Sequence, residues 1–588
     1  MKKTGLFLVL LLSIMSCQTS KKQTSMSSIS ENTIQATIDS VKVHAPEVDA
    51  TMITRGVTHA AKFWQTTDGS ETEFLQFCVA NFAKTDAEKQ RLFATIQTNL
   101  ETLFGNYNKI SVNLKLPLHV VGPDVTPMDE QFGAFDPFAH FSDDMFASKI
   151  AFTTLLNFPF YTLEEKNELG KTWTRQEWAY ARLGDLFNAR IPAEINQNLA
   201  KQSTEADSYI SNYNIMMGQL RTEQGQQLFP DQMALISHWG LRDELKSNYA
   251  NADGHGLEKQ QMIYEVMKHI VNQTIPQQVI SNDAYTWQPL SNKLFENGKP
   301  ITPTPEPNTR YEKLYNIYKA TIAADAYCPT YPTYIQRSFD QQMEVSAEEI
   351  ETMFTQFIAS PQVGEVAKLI ETRLGRKLQP FDIWYDGFKS RSSINEDELT
   401  AQTRKRYPTK DAYEQDLPNI LKQLGFSDER AHFICSKIQV DASRGAGHAW
   451  GAQMKSDKAR LRTRIAADGM DYKGYNIATH EFGHNVEQTI TLNNVDYYLM
   501  NGVPSTAFTE ALAFVFQKRD LALLGYKNNA TNQADLQTLD IFWGCYEIMG
   551  VSLVDLYTWQ WLYQHPDATV EDLKATIITN AKTIWNKY

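Results

Sequence analysis

The pattern that most constrains this chain is a pentapeptide with two histidines four positions apart, His480-Glu481-Phe482-Gly483-His484. On an α-helix, residues i and i+4 leave the same face about one turn apart, so both imidazoles can reach one metal ion. Histidine nitrogens bind Zn²⁺ at roughly 2.0–2.1 Å, and a glutamate between them can act on a water beside the ion. The pattern predicts a helix over 476–490 with a metal site on one face.

A second apolar segment supplies a carboxylate. Residues 505–516 form a run of helical character, and Glu510 lies inside it, 26 positions after His484. A carboxylate in so apolar a helix is costly to bury unless a positive charge compensates it, which either a zinc ion or a basic side chain could provide. We expect His480, His484 and Glu510 to bind one zinc ion per chain, with the fourth position open, as in catalytic sites. The alternative is a buried helix whose histidines bond only to protein groups.

The two segments resemble those of the gluzincin zinc peptidases, most closely the thimet oligopeptidase and oligoendopeptidase family and less closely the angiotensin-converting-enzyme-like peptidases. The resemblance rests on H-E-F-G-H, on a glycine-bearing link at 501–504 and on F-T-E at 508–510, with weaker similarity at 380–385 and 441–452. It implies a large, mainly helical metallopeptidase that hydrolyses peptide bonds, in short peptides, by a metal-activated water. Glu481 would be the general base of that reaction.

The resemblance also implies roles for two residues outside the ligand set. Tyr557, in a Y-x-W at 557–559, matches a family tyrosine that donates to the oxyanion; the alternative is a core tyrosine. His448 lies in the glycine-rich stretch before the zinc helix and is expected to touch substrate. Two departures leave cleavage specificity open: Glu487 stands where the family often has a third histidine, and the chain after Glu510 is shorter than the family's tyrosine-rich segment.

The N-terminus carries a targeting pattern. Lys2-Lys3 precedes an apolar run at 6–12, which is too short for a stable membrane span, and Ile14-Met15-Ser16-Cys17 resembles a bacterial lipobox. We expect residues 1–16 to be a lipoprotein signal peptide, Cys17 to be lipidated, and the polar residues 17–33 to form a flexible tether. The protein would then be a membrane-anchored lipoprotein of the cell envelope, facing the periplasm. A simple cleaved secretory signal is the alternative.

The rest of the chain is expected to be mainly α-helical. It has 588 residues, of which 42% are hydrophobic, enough for a substantial core, and helical periodicity dominates. We expect one body, in one or two lobes around a cleft, with a small β segment at 109–121 and a loop at 122–144. A proline-rich joint at 298–309 divides an N-terminal helical region, 34–300, from the catalytic region, 310–588.

Charge and cysteine content exclude some partners and leave other questions open. The formal net charge of −13 argues against nucleic acid as a partner. The four cysteines other than Cys17 allow up to two disulfides or free thiols.

Two rival functions remain open. One is a non-catalytic, helical lipoprotein that binds glycans or nutrients; the other is a zinc hydrolase acting on cell-wall peptides.

Overall fold

The computed structural model describes residues 28–237, 239–251, 253–389, 396–526 and 532–588. Helices make up 65% of the described residues and strands 7%, so the predicted mainly α fold with small β segments is confirmed. The predicted signal peptide, the lipidation site Cys17 and most of the predicted tether lie outside the described residues. Within the described ranges, no helix is both long enough and apolar enough to cross a bilayer.

The N-terminal region is built from helices around an aromatic core. Trp64, Phe74, Phe146 and Phe152 are fully buried in it. The first helix starts at Glu31, before the predicted end of the tether at residue 33. The Ser30 hydroxyl caps this helix by accepting from the backbone N–H of Thr33. The helices are α1 (Glu31–His44), α2 (Ala50–Phe63), α3 (Glu71–Asn81), α4 (Asp86–Leu114), α5 (Leu116–His119), α6 (Pro127–Gly133), α7 (Phe141–Ala147), α8 (Ile150–Asn157), α9 (Leu163–Leu169), α10 (Arg175–Asp185) and α11 (Ala193–Ser211).

The predicted strand at 109–121 is wrong, since this stretch is the end of α4 followed by α5. Its alternating apolar residues do not define a buried face: Ile110 is 44% exposed and Leu116 is 42% exposed, whereas Val112 is buried. The helical repeat of α4 continues through the first of these residues, as far as Leu114. The predicted loop at 122–144 is also wrong in part, because it contains α6, which Thr126 starts with a capping box.

The middle of the chain carries two small antiparallel sheets beside four helices. The strands are β1 (Asn214–Met216), β2 (Ala234–Ile236), β3 (Tyr285–Gln288), β4 (Lys293–Glu296) and β5 (Lys299–Ile301), paired as β1-β2 and β3-β4-β5. The helices are α12 (Trp239–Ser247), α13 (Gly256–Asn272), α14 (Thr309–Ile322) and α15 (Tyr334–Gln336). The predicted joint at 298–309 includes β5 and a buried Glu306, to which two tyrosine hydroxyls donate. The domain boundaries stay predictions.

The C-terminal region consists of helices and one mixed sheet. The helices are α16 (Ala347–Ile358), α17 (Pro361–Leu374), α18 (Glu396–Arg406), α19 (Lys410–Gln423), α20 (Asp428–Ser436), α21 (Tyr472–Asn494), α22 (Thr506–Gln517), α23 (Asp520–Leu523), α24 (Gln533–Gln564) and α25 (Val570–Lys587). The strands are β6 (Ile438–Ala442), β7 (His448–Trp450) and β8 (Ala459–Thr463). Cys78, Cys328, Cys435 and Cys545 are free thiols.

The mixed sheet and α21 share one core. The strand order is β6-β8-β7, with β6 parallel and β7 antiparallel to β8, so β7 is an edge strand. Tyr475, Ala478, Phe482 and Val486 are fully buried and occur at helical spacing along α21, which turns that face of the helix into the core. The opposite face of α21, which carries both histidines of the pentapeptide, is thereby left for the candidate site.

Candidate metal centre

Helix α21 fixes both histidines of the pentapeptide. The carboxylate of Asp471 caps the helix by accepting from the backbone N–H of Gly474. His480 and His484 leave the same face one turn apart, and their Nε2 atoms lie 3.1 Å from each other. The predicted helix over 476–490 is confirmed as part of α21.

Helix α22 brings the third candidate ligand to the histidines. The two helices approach closely at Gly483, where an added Cβ would lie only 2.6 Å from the Cα of Ala513. A side chain at this position would push α22 away. Glu510 Oε2 lies 3.4 Å from His480 Nε2, and Oε1 lies 3.6 Å from His484 Nε2. The three predicted ligands therefore converge, with one donor atom from each inside a group 4.8 Å across.

The proton on His484 is placed by a hydrogen-bonded chain that ends at a carboxylate. His484 Nδ1 lies 2.9 Å from Thr509 Oγ1, and the Thr509 hydroxyl donates to Glu487 Oε2 at 2.9 Å. An ionised carboxylate can only accept, so the single Thr509 proton is used there and Thr509 Oγ1 must accept from Nδ1–H of His484. The Nε2 atom of neutral His484 then presents a lone pair to the site.

A second chain places the proton on His480 in the same way. The carboxylate of Asp520 accepts from Asn476 Nδ2 at 2.6 Å, which orients the asparagine amide. Asn476 Oδ1 accepts from Gln517 Nε2 at 2.7 Å, so Gln517 Oε1 faces His480 Nδ1 at 3.1 Å. That oxygen can only accept. His480 therefore also carries its proton on Nδ1 and presents a lone pair at Nε2.

When both histidines are neutral, three electron-pair donors thus face one another without a proton between them. Two imidazole lone pairs and the Glu510 carboxylate repel unless a cation lies among them. Two nitrogens and one oxygen, each histidine held by an outer hydrogen bond, match the donor set of a catalytic zinc site. The residues present fit a zinc ion.

The electrostatics of the site also favour a positive charge. Burial lowers the pKa of His480, but a second proton on Nε2 would be donated to Glu510, and this hydrogen bond, with the charges of Glu481 and Glu510, more than offsets the effect of burial. The pKa of His480 therefore lies above its ordinary value when no cation is bound. Burial, with a contribution from His480, lowers the pKa of His484 despite the opposing charge of Glu510. The acidic groups thus stabilise charge on the histidine nearest to them.

Glu481, the predicted general base, lies between the histidines and the edge strand β7. Burial raises the pKa of its carboxyl to about 7, while His480 lowers it, Glu510 raises it and the backbone N–H of Ala449 lowers it. Close packing continues at Gly447, where an added Cβ would lie 3.8 Å from Glu481 Cγ. Because the N–H of Ala449 reaches Glu481, the outer edge of β7 faces this carboxylate.

The remaining predicted residues occupy different places. His448 lies on β7, where its Nε2 is 3.2 Å from Nη1 of the buried Arg462. Tyr557, on α24, donates to Glu351 Oε1 at 2.9 Å, and within the described residues no hydrogen bond or ring contact joins it to the candidate ligands. Both roles stay predictions, as does lipidation of Cys17.

The outer residues of the site escaped sequence reasoning. Thr509, Glu487, Gln517, Asn476 and Asp520 hold the two imidazoles, although the sequence motifs gave none of them this role. One signal was available, because Glu487 is a carboxylate in the middle of α21, and it is buried. It occupies the position where the peptidase family that the sequence resembles often has a third histidine.

No protein-family model matches the sequence, and no curated protein is significantly similar to it.

Proposed function

We propose that this protein is a zinc-dependent peptidase. The observation that carries the proposal is the convergence of two histidine lone pairs, each fixed by a chain ending at a carboxylate, on Glu510. A bound zinc ion polarises a carbonyl and lowers the pKa of a neighbouring water toward neutrality. The site is open on one side, since the side chain of Glu510 is 43% exposed.

The residues of the chain have separate tasks in this proposal. His480, His484 and Glu510 would hold the ion. The Glu481 carboxylate, buried but adjacent, would accept the proton of the attacking water and transfer it to the nitrogen of the leaving amine. Burial raises the pKa of the Glu481 carboxyl, which makes it a stronger base than an exposed carboxylate. An extended peptide would lie along the outer edge of β7, where the N–H of Ala449 already reaches Glu481.

Two substitutions test the proposal. Glu481→Gln should keep about one zinc per chain and lower turnover of a quenched fluorescent peptide by roughly 10²–10⁴-fold, because the base is lost while the ligands remain. His484→Ala should lose zinc and activity together. His432→Ala is the matched control, since that imidazole is exposed on α20. Full activity in the Glu481→Gln protein would exclude the assignment.

The same assay separates the rival functions. Turnover of cell-wall peptides but not of ordinary peptides would favour an envelope hydrolase. Stoichiometric zinc without any turnover would favour a binding lipoprotein.

We also propose that Cys17 anchors the protein to a membrane of the cell envelope, on the strength of the lipobox-like sequence. The protein should partition with membranes, and Cys17→Ala should release it. Mass spectrometry of the extracted protein should find an acyl group on Cys17; its absence would overturn the anchor.

A further inference from the structure

A polar cavity of about 400 Å³ lies beside the loop that leads into β7. Four parts of the chain line it: the segment 124–130, residues 211–214 between α11 and β1, the end of β2, and the arginines in the β6–β7 loop and just after β8. Its volume falls within the range of small-molecule sites. Its charged lining residues are Asp124, Glu130, Arg444 and Arg464.

The two arginines have unused donors. Arg464 donates from Nε to the carbonyl of Gly445 at 3.1 Å. Arg444 donates from Nε to Pro117 O at 3.2 Å, and its Nη2 donates to the carbonyls of Gly122 and Pro123. The described chain provides no partner for Nη1 of Arg444 or for either Nη atom of Arg464, and no carboxylate lies within 4.0 Å of them.

Unpaired guanidinium groups at a cavity recognise carboxylates. The planar fork of arginine matches the two oxygens of a carboxylate and binds it through charge-assisted hydrogen bonds. Backbone carbonyls accept from Nε of both arginines and so fix each side chain in place without neutralising its charge. The arginines are therefore positioned for an anionic ligand that the protein itself does not supply.

The backbone connects this cavity to the candidate metal centre. Gly445 lines the cavity, Gly447 packs against Glu481, and the N–H of Ala449 reaches the Glu481 carboxylate. Residues 444–446 are bends and β7 begins at His448, so Gly445 and Ala449 lie closer together than the roughly 13 Å that four extended residues would cover. A peptide lying along this edge would span both places with about four residues or fewer.

The direction of the peptide determines which end reaches the arginines. Antiparallel pairing is the commoner arrangement, and a peptide added to β7 in this way runs from Ala449 toward Gly445. Its residues after the cleaved bond then point to the cavity. A parallel peptide would bring its ammonium group there instead, beside Asp124 and Glu130.

We propose that Arg464 and Arg444 bind the C-terminal carboxylate of the substrate, so that the enzyme releases short C-terminal fragments of roughly two to four residues. This inference rests on the proposed peptidase function and adds a substrate class to it: peptides with a free C-terminus. Arg464 is the better probe, because it is exposed, whereas Arg444 ties the loop to the segment 117–123.

The first experiment compares two peptides that differ only at the C-terminus, one a free acid and the other an amide. Amidation should lower kcat/KM of the wild-type protein by roughly 10–100-fold, chiefly through KM, because charge-assisted hydrogen bonds are lost. The Arg464→Gln protein should hydrolyse the acid with the same low kcat/KM as the amide. Arg91→Gln, at an exposed arginine of α4, is the control and should keep the preference. Mass spectrometry should find C-terminal products of two to four residues.

Some outcomes would overturn the carboxylate site. Equal kcat/KM for the two peptides in the wild-type protein would do so, as would an unchanged preference in Arg464→Gln. A loss of activity on acetylating the N-terminus of the peptide, combined with indifference to amidation, would show the parallel direction and an ammonium site instead.

A second experiment separates this inference from the proposed function. Zinc-loaded Glu481→Gln protein is titrated with the same two peptides in a calorimeter, so that binding is measured without turnover. Tighter binding of the acid would support the carboxylate site even if the wild-type protein hydrolysed neither peptide. Equal binding, or no binding of either at millimolar concentration, would overturn it even if the wild-type protein hydrolysed both.

Discussion

Two pairs of histidines converge within the described part of the chain, and the groups on which they converge differ. His480 and His484 point their Nε2 atoms at each other and at Glu510. His119 and His448 point ring nitrogens at Nη1 of Arg462, at 2.6 Å and 3.2 Å. The rings are about equally close, with centroids 4.8 Å apart in the first pair and 5.0 Å in the second. Proximity of two imidazoles therefore does not distinguish the sites.

The difference lies in the groups that surround each pair. Arg462 is fully buried and can only donate, so it is already the cation of its cluster and both histidines accept from it. Burial, followed by the charges of His448 and Arg462, lowers the pKa of His119 to about 3. At the other pair the central position is bordered by a carboxylate and two lone pairs. We infer that the outer hydrogen bonds, not the histidines themselves, decide which pair could accept an external cation.

The largest expected effect comes from removing Arg462, the positively charged side chain between His119 and His448. Arg462→Met should lower the free energy of unfolding by about 3–5 kcal/mol, because a buried charge partner of Asp441 is lost and two histidines lose their donor. Denaturant unfolding at pH 8 measures this. The control is Arg460→Met, whose side chain is 27% exposed on the same strand and which should change stability by about 1 kcal/mol or less.

The same Arg462→Met protein tests the comparison directly. Zinc content should remain about one per chain, because a histidine pair without the outer carboxylate chains lacks the arrangement that we associate with the metal. Uptake of a second zinc ion would show that paired imidazoles suffice.

A smaller effect is expected from the outer hydrogen bond of His484. Thr509→Val removes the acceptor that holds the proton on Nδ1, and zinc affinity should fall by roughly 10–100-fold. Competition with a fluorescent chelator measures the affinity. Thr506→Val, at an exposed position of the same helix, should leave it unchanged. An unaltered affinity in Thr509→Val would contradict the role given to this chain.

The pH dependence of stability provides a third test. His119 is neutral in the folded protein down to about pH 3 but takes up a proton near pH 6.5 when unfolded. Below pH 6.5 the unfolded state binds more protons, so stability falls with falling pH, by at most about 1.4 kcal/mol per unit and less where solvent screens the charge. His119→Asn should reduce this slope.

Other histidines with a lowered pKa, among them His59, His448 and His484, must be allowed for in that measurement. Burial, with the charges of Arg55 and Lys62, lowers the pKa of His59 to about 4, so part of the slope should persist in His119→Asn. His432→Asn, at an exposed position, should leave the slope as it is in the wild-type protein. If the free energy of unfolding of His119→Asn depended on pH as steeply as that of the wild-type protein, His119 would be charged in the folded state.

The smallest effect is expected at Tyr557. Its hydroxyl donates to Glu351, so Tyr557→Phe should cost about 1 kcal/mol of stability and leave kcat within about twofold of the wild-type value. Tyr546→Phe, on the same helix, is the control. A fall in kcat of roughly 10–10³-fold in zinc-loaded Tyr557→Phe would instead favour the role that the family resemblance implies, a donor to the oxyanion.

The parts of the fold that sequence predicted well are those with local causes. The helix over 476–490 follows from histidine spacing and from apolar residues that recur at helical intervals, and α14 begins where the proline-rich joint ends. The errors at 109–121 and 122–144 also have a local origin. A short alternation of apolar residues at the end of α4 looks like a strand, and a capping box hidden among proline and glycine starts α6.

The features of the candidate site also separate into those with local causes and those that depend on the tertiary structure. The sequence by itself determined that two imidazoles share one face of a helix, that Glu481 stands between them, and that Glu510 lies in a nearby apolar helix, because each depends on a helical repeat of a few residues. Only the tertiary structure decided that α22 approaches α21 at Gly483 and that Glu487 and Asp520 fix the ring protons. Those bonds join residues 22 to 44 positions apart. A proton's position depends on which acceptor the fold places beside it, and no local pattern carries that information.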